Sequence, residues 1–75
     1  MMENIKEFID NYNTINELVI KYFNDNINSN IDNTHSHNYI DRWFFDNYDY
    51  IIIVYNNYYS GYSQSVSIKI NEIIQ

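Results

Sequence analysis

Apolar residues recur at helical spacing in the first third of the chain. Ile5, Phe8, Tyr12, Ile15, Val19 and Tyr22 alternate at three and four, and Ile9, Leu18 and Phe23 widen the stripe. This predicts a helix over residues 3–24 with that stripe as its buried face. Glu3 sits in the first turn, where it suits the positive end of the helix dipole, and Glu17 and Lys21 stand four apart in the favourable order. Thr14 to Glu17 fits a capping box, which would start a second helix at Ile15. The stripe runs through that point in phase, so one long helix is the preferred reading. Its heptad spacing also suits a coiled-coil dimer, although packing on a sheet explains the same stripe.

Residues 24–38, NDNINSNIDNTHSHN, are dominated by Asn, Asp and Ser, whose side chains bond to nearby backbone and compete with regular structure. This segment reads as a loop tacked to the core by Ile27 and Ile31. From Tyr39 onward the period changes to two. In SVSIKI, Val66, Ile68 and Ile70 share one face and Ser65, Ser67 and Lys69 the other, while YIIIVY is apolar on both faces and β-branched, which marks a central strand. Ser60-Gly61 is a turn dipeptide, with the single glycine placed where a positive φ is wanted. Folding there sets Tyr59 opposite Tyr62, Asn57 opposite Gln64, Tyr55 opposite Val66, Ile53 opposite Ile68 and Ile51 opposite Ile70. A three-residue turn around DNYD puts Trp43 and Phe45 on the same core face.

The expected fold class is α+β: one domain, a long N-terminal helix packed on a three-stranded antiparallel β-meander, with strands at about 39–45, 49–59 and 62–71. The helix covers one sheet face. Tyr50, Ile52, Val54 and Phe44 are left on the other beside Arg42, Ser67 and Lys69, and an apolar patch of that kind marks a partner or self-association surface.

Composition adds three constraints. The 75 residues contain no cysteine, so neither disulfides nor thiolate chemistry reinforce a small core, and self-association is the reinforcement left. MMENIKEFID lacks the features of a secretory leader, and no apolar run approaches a membrane span, so a cytoplasmic location without membrane contact is expected. Asn and Ile occur 14 times each and Tyr 9 times, all with codons writable in A and T alone. Lysine shares that property, yet only Lys6, Lys21 and Lys69 are present, and the net charge is −6. An acidic balance held against the codon bias of a low-GC genome favours a basic partner and disfavours direct contact with nucleic acid or anionic lipid.

Candidate chemistry is sparse. His35 and His37 stand two apart near Asp32 and Asp41, but a zinc site needs three or four ligands and no further histidine or cysteine exists. As a calcium loop, the Asn/Asp tract puts Ser29 at the glycine position and His35 where a bidentate glutamate belongs. There is no nucleophile elbow, and one glycine cannot build a phosphate loop, so the expectation is no catalysis, no metal and no cofactor. The tyrosines remain. Tyr58, Tyr59 and Tyr62, interleaved with Ser60, Gly61 and Ser63, have the composition of a binding loop, although cross-strand ring packing explains them equally.

In size, acidity and low-GC composition, taken over the whole chain, the protein resembles the small phage-encoded inhibitors of bacterial defence, anti-CRISPR proteins especially. No motif carries the likeness, and no residue role is transferred. Many such inhibitors occupy the basic nucleic-acid channel of a nuclease. Under an inhibitor reading of this chain's own acidic and aromatic positions, Asp41, Asp46 and Asp49 stand in for phosphates, while Tyr48, Tyr58, Tyr59 and Tyr62 make packed contacts on a basic host protein. Tyr50, Ile52 and Val54 complete the candidate surface. The alternatives are a homodimeric assembly subunit and an antitoxin capping a basic toxin.

Overall fold

The computed structural model describes residues 5–28, 37–47 and 49–74, with side chains from residue 11 onward. Expectations that fall on Glu3, Ile31, Asp32, His35 and Tyr48, and on the side chains of Ile5, Phe8 and Ile9, lie outside the described residues. The fold is α+β. Helix α1 (Ile5–Asn26) is followed by strands β1 (Asn38–Asp46), β2 (Tyr50–Asn57) and β3 (Ser63–Lys69), and by a short helix α2 (Ile70–Ile73). The strands form one antiparallel sheet in the order β1-β2-β3.

α1 runs unbroken past Thr14, so the capping-box start at Ile15 is not used. Its buried line is Val19 and Phe23, four apart, flanked by half-buried Ile15, Leu18 and Tyr22. This corrects the stripe: Tyr12 is 44% exposed, and Phe23 belongs at its centre. Lys21 bonds to Asp25 at 2.6 Å, not to the Glu17 expected from spacing, and the pair is exposed enough to add little stability. The helix takes in Asn24, Asp25 and Asn26, the first three residues of the segment expected to be loop, before it ends. The N–H groups of Ile27 and Asn28 both donate to the Phe23 carbonyl, and the Asn26 side chain donates to the Tyr22 carbonyl. Ile27 packs on the core as expected.

β1 carries a bulge. Ile40 lies opposite Tyr55 and Arg42 opposite Val54, leaving Asp41 as the extra residue. The bulge lets Ile40 and Trp43, three apart in sequence, both turn toward the helix, where each packs against the core. Trp43 stacks on Tyr12 with centroids 5.1 Å apart, and its indole N–H donates to Asn16 Oδ1 at 2.6 Å. Phe45 shares that face but is half exposed, touching Trp43 edge-on beyond the rim of the core.

Two features of the last third differ from the sequence reading. The β2–β3 register is offset by two residues: Ile53 pairs with Val66, Ile51 with Ile68 and Tyr55 with Gln64. The strands stop at Asn57 and restart at Ser63, and β3 does not reach residue 71. After Lys69 the chain turns into α2, anchored by the Ile70 N–H donating to the Asp49 carbonyl at 2.7 Å, and this drops Ile73 into the core. Val19, Phe23, Ile51, Ile53, Ile68 and Ile73 are the buried core among the described residues. Burying each such side chain contributes roughly 1.5–3 kcal/mol before chain entropy is counted.

Candidate protein-binding surface

The meander separates the candidate residues into two ends and one face. At one end the β2–β3 hairpin closes through residues 58–61. The Asn57 N–H donates to the Tyr62 carbonyl, and the Gly61 N–H donates to the Asn57 carbonyl. Asn57 organises this loop from its side chain as well, since its Oδ1 accepts from the N–H groups of Tyr59 and Ser60 at 3.0 and 2.8 Å. Gly61 takes φ 75°, the left-handed region expected of it.

Tyr58, Tyr59 and Tyr62 are 66%, 53% and 74% exposed on this loop. Tyr58 is a hub. Its ring meets His37, Tyr39 and Tyr59 edge-on, with centroids 6.2, 6.2 and 5.4 Å away, and its N–H donates to the His37 carbonyl. Beneath the cluster, the Asn28 side chain donates to the Asn38 carbonyl, and the Asn57 side chain donates to Asn38 Oδ1. The end of α1, the start of β1 and the tyrosine loop are thereby tied together. Sequence reasoning missed His37 and Tyr39 as members of this cluster. Tyr39 faces Asn56, two residues before Tyr58, a proximity that only the β1–β2 register could have revealed.

The other end is acidic. The β1–β2 turn spans residues 47–49, the three-residue length that the core-face assignment of Trp43 requires. Asn47 adopts φ 52°, a conformation asparagine tolerates, and its Oδ1 accepts from the Asp49 N–H at 2.9 Å. Asp46 and Asp49 are exposed there, with Lys69 nearby on β3 across Tyr50. Asp41 is elsewhere. It sits at the bulge with its carboxylate 2.6 Å from the Arg42 guanidinium. The structure therefore brings Tyr58, Tyr59 and Tyr62 together, and Asp46 with Asp49. It holds those two groups about 23 Å apart, the rise of eight-residue β2.

Tyr50, Ile52 and Val54 lie half-buried on the sheet face away from α1, beside exposed Phe44. None of them joins the core cluster. α1 and α2 both pack on the opposite face, so no helix among the described residues covers this one. Among the described residues there is also no group of three or more His, Asp or Glu side chains placed to hold a metal, and no helix long and apolar enough to cross a membrane. Comparisons with protein-family models, curated proteins and solved structures find no match.

Proposed function

We propose that this chain is a non-catalytic, protein-binding inhibitor, phage-encoded and acting in the cytoplasm of a bacterial host, directed at a basic nucleic-acid-binding defence protein such as a CRISPR nuclease. In this reading a long N-terminal helix over the meander is the scaffold, and the binding elements are the tyrosine loop, the acidic turn and the open sheet face. The observation that carries it is the charge-free loop of Tyr58, Tyr59 and Tyr62, each more than half exposed, on a chain of net charge −6. Tyrosine offers a large amphipathic contact at low rotamer cost, and the rings around Tyr58 hold its position before any partner arrives. The negative field speeds encounter with a basic surface.

The test adds the protein to guide-loaded CRISPR nucleases from low-GC bacteria and follows DNA cleavage and binding kinetics. Inhibition at near-stoichiometric ratio is expected, with an association rate that falls steeply as salt rises from 50 to 300 mM (about a Debye length of 14 Å down to 6 Å). Tyr59→Ala should speed dissociation with little change in melting temperature, and Asp46→Asn with Asp49→Asn should slow association. Absence of binding and inhibition across such nucleases rejects this target class. Normal binding by Tyr59→Ala assigns the tyrosines to hairpin packing.

A homodimeric assembly role is favoured by a separate observation, the Ile52 and Val54 face that no helix among the described residues covers.

A further inference from the structure

The register places four rows across the open face. Asp46, Tyr50 and Lys69 form the first, Phe44, Ile52 and Ser67 the second, Arg42, Val54 and Ser65 the third, and Tyr39, Asn56 and Ser63 the fourth. Read down the strands, the face is graded. β1 presents three large side chains (Tyr39, Arg42, Phe44) and Asp46, β2 presents Ile52 and Val54 between Tyr50 and Asn56, and β3 presents three serines and a lysine.

A two-fold axis parallel to the strands, above β2, would turn one copy onto another with β1 over β3 of its mate and row matched to row. Phe44 then lies over Ser67, Arg42 over Ser65 and Tyr39 over Ser63, so large meets small in every case. Asp46 lies over Lys69, so acid meets base, and the symmetry makes each of these contacts twice. Ile52 and Val54 meet their own counterparts on the axis. A two-fold perpendicular to the strands would instead set β1 over β1, crowding the large side chains together and leaving Lys69 without a carboxylate opposite. Aligned packing of two sheet faces about 10 Å apart, with strands within about 30°, accommodates the first arrangement.

We infer that the open face is a self-complementary surface whose occupant is a second copy of this chain, related by a two-fold axis along the strands. Its size sets the strength. Three strands spaced by about 4.8 Å and eight residues of about 3.3 Å give a footprint on the order of 380 Å² per copy, about half the roughly 800 Å² of a standard interface. The dimer therefore belongs to the weak class, which forms only at high protein concentration. Because the axis runs along the strands, both tyrosine loops emerge at one end and both acidic turns at the other. Self-association thus leaves the tyrosine loops free, while the open sheet face and Asp46 serve either the second copy or the partner, and the dimer does not depend on the inhibitor reading.

Sedimentation equilibrium of the full chain from 5 to 500 µM tests it. The expected result is a monomer–dimer equilibrium. Ile52→Lys and Ile52→Glu should each be monomeric throughout that range, with circular dichroism unchanged, because like charges would meet on the axis. An equimolar mixture of the two should regain the dimer, since opposite charges then face each other. Lys69→Asp should weaken the dimer about tenfold, and combining it with Asp46→Lys should restore it. Should substitution at residue 52 unfold the chain, Ser67→Arg at the exposed edge substitutes for it, with dimer loss expected from the clash with Phe44. A wild-type chain that stays monomeric at 500 µM overturns the proposal. So does a dimer indifferent to Ile52→Lys and Ser67→Arg in folded protein. A dimer lost with Ile52→Lys but not recovered on mixing overturns the two-fold geometry.

Discussion

Two hairpins hang from the same central strand, and they reverse the chain by different chemistry. Between β1 and β2 the turn is three residues, stabilised by Asn47 in the left-handed region and a single side-chain bond to the Asp49 N–H. Between β2 and β3 it is a four-residue loop in which the Asn57 side chain accepts from two N–H groups and also bonds to Asn38 on β1. The first turn is charged and borders the point where α2 begins. The second bears no charge and packs its tyrosines on one another and on the start of β1. The difference explains why alternation of apolar residues locates one hairpin and misplaces the other. Period-two patterning fixes which side chains share a face, because a one-residue slip would invert them all. It is blind to a slip of two. Registers of equal parity are decided by the turn and by the packing of the chain beyond the strands, and at 58–61 the side chain that bonds the turn is Asn57, not a member of the Ser60-Gly61 dipeptide.

The largest effect tests what the hairpins have in common. Ile53 is fully buried and paired with Trp43 on one side and Val66 on the other. Ile53→Ala should cost about 2–5 kcal/mol, a large share of what so small a domain holds. Trp43 is the only tryptophan and reports the first hairpin by fluorescence, while far-UV circular dichroism reports the whole. Urea transitions by the two probes should shift together. Separate midpoints would show that the hairpins melt independently and that β2 does not couple them.

Much of the fold is legible in the residues. The part of the helical stripe from Ile15 to Tyr22, the central position of YIIIVY and the shared face of Ile51, Ile53, Val66 and Ile68 follow from the pattern of apolar residues. What is not legible depends on contacts distant in sequence. The bulge at Asp41 is invisible until Ile40 and Trp43 must face the same helix. α2 interrupts an alternation that would otherwise carry Ile70 along β3, because burying Ile73 and bonding Ile70 to the Asp49 carbonyl outweigh one more strand pair. The tyrosine loop could be picked out by composition, but its neighbours His37 and Tyr39 lie 21 and 19 residues upstream of Tyr58.

A middle-sized effect sharpens the contrast between the turns. Asn57→Ala removes two accepted bonds and one donated bond at a half-buried position, and should cost about 2 kcal/mol. Asn47→Gly also loses its side-chain bond, but glycine relieves the positive φ, so the net change should stay within about 0.5 kcal/mol. Denaturant midpoints of the two variants measure the difference. Equal losses would mean that both turns rest on side-chain bonding alike, and the register argument would lose its basis.

The smallest effect is the most discriminating. Ser60→Asn offers the chain an Asn-Gly pair, the preferred centre of a two-residue hairpin turn, and so favours the register with Tyr59 opposite Tyr62. Adopting that register would place Ile51 opposite Ile70, unwind the start of α2 and pull Ile73 from the core. It would also break the Asn57 bonds to the Tyr59 and Ser60 N–H groups. Together these losses amount to roughly 3–5 kcal/mol, against about 1 kcal/mol gained from a better turn. The observed pairing should therefore persist, with stability altered by less than about 0.5 kcal/mol, as expected of a surface substitution. Cross-strand backbone contacts by NMR decide the matter: Ile53 should stay beside Val66 in the variant as in the parent chain. A shift of those contacts to Ile68 would show that the turn dipeptide outweighs the Asn57 bonds and the burial of Ile73.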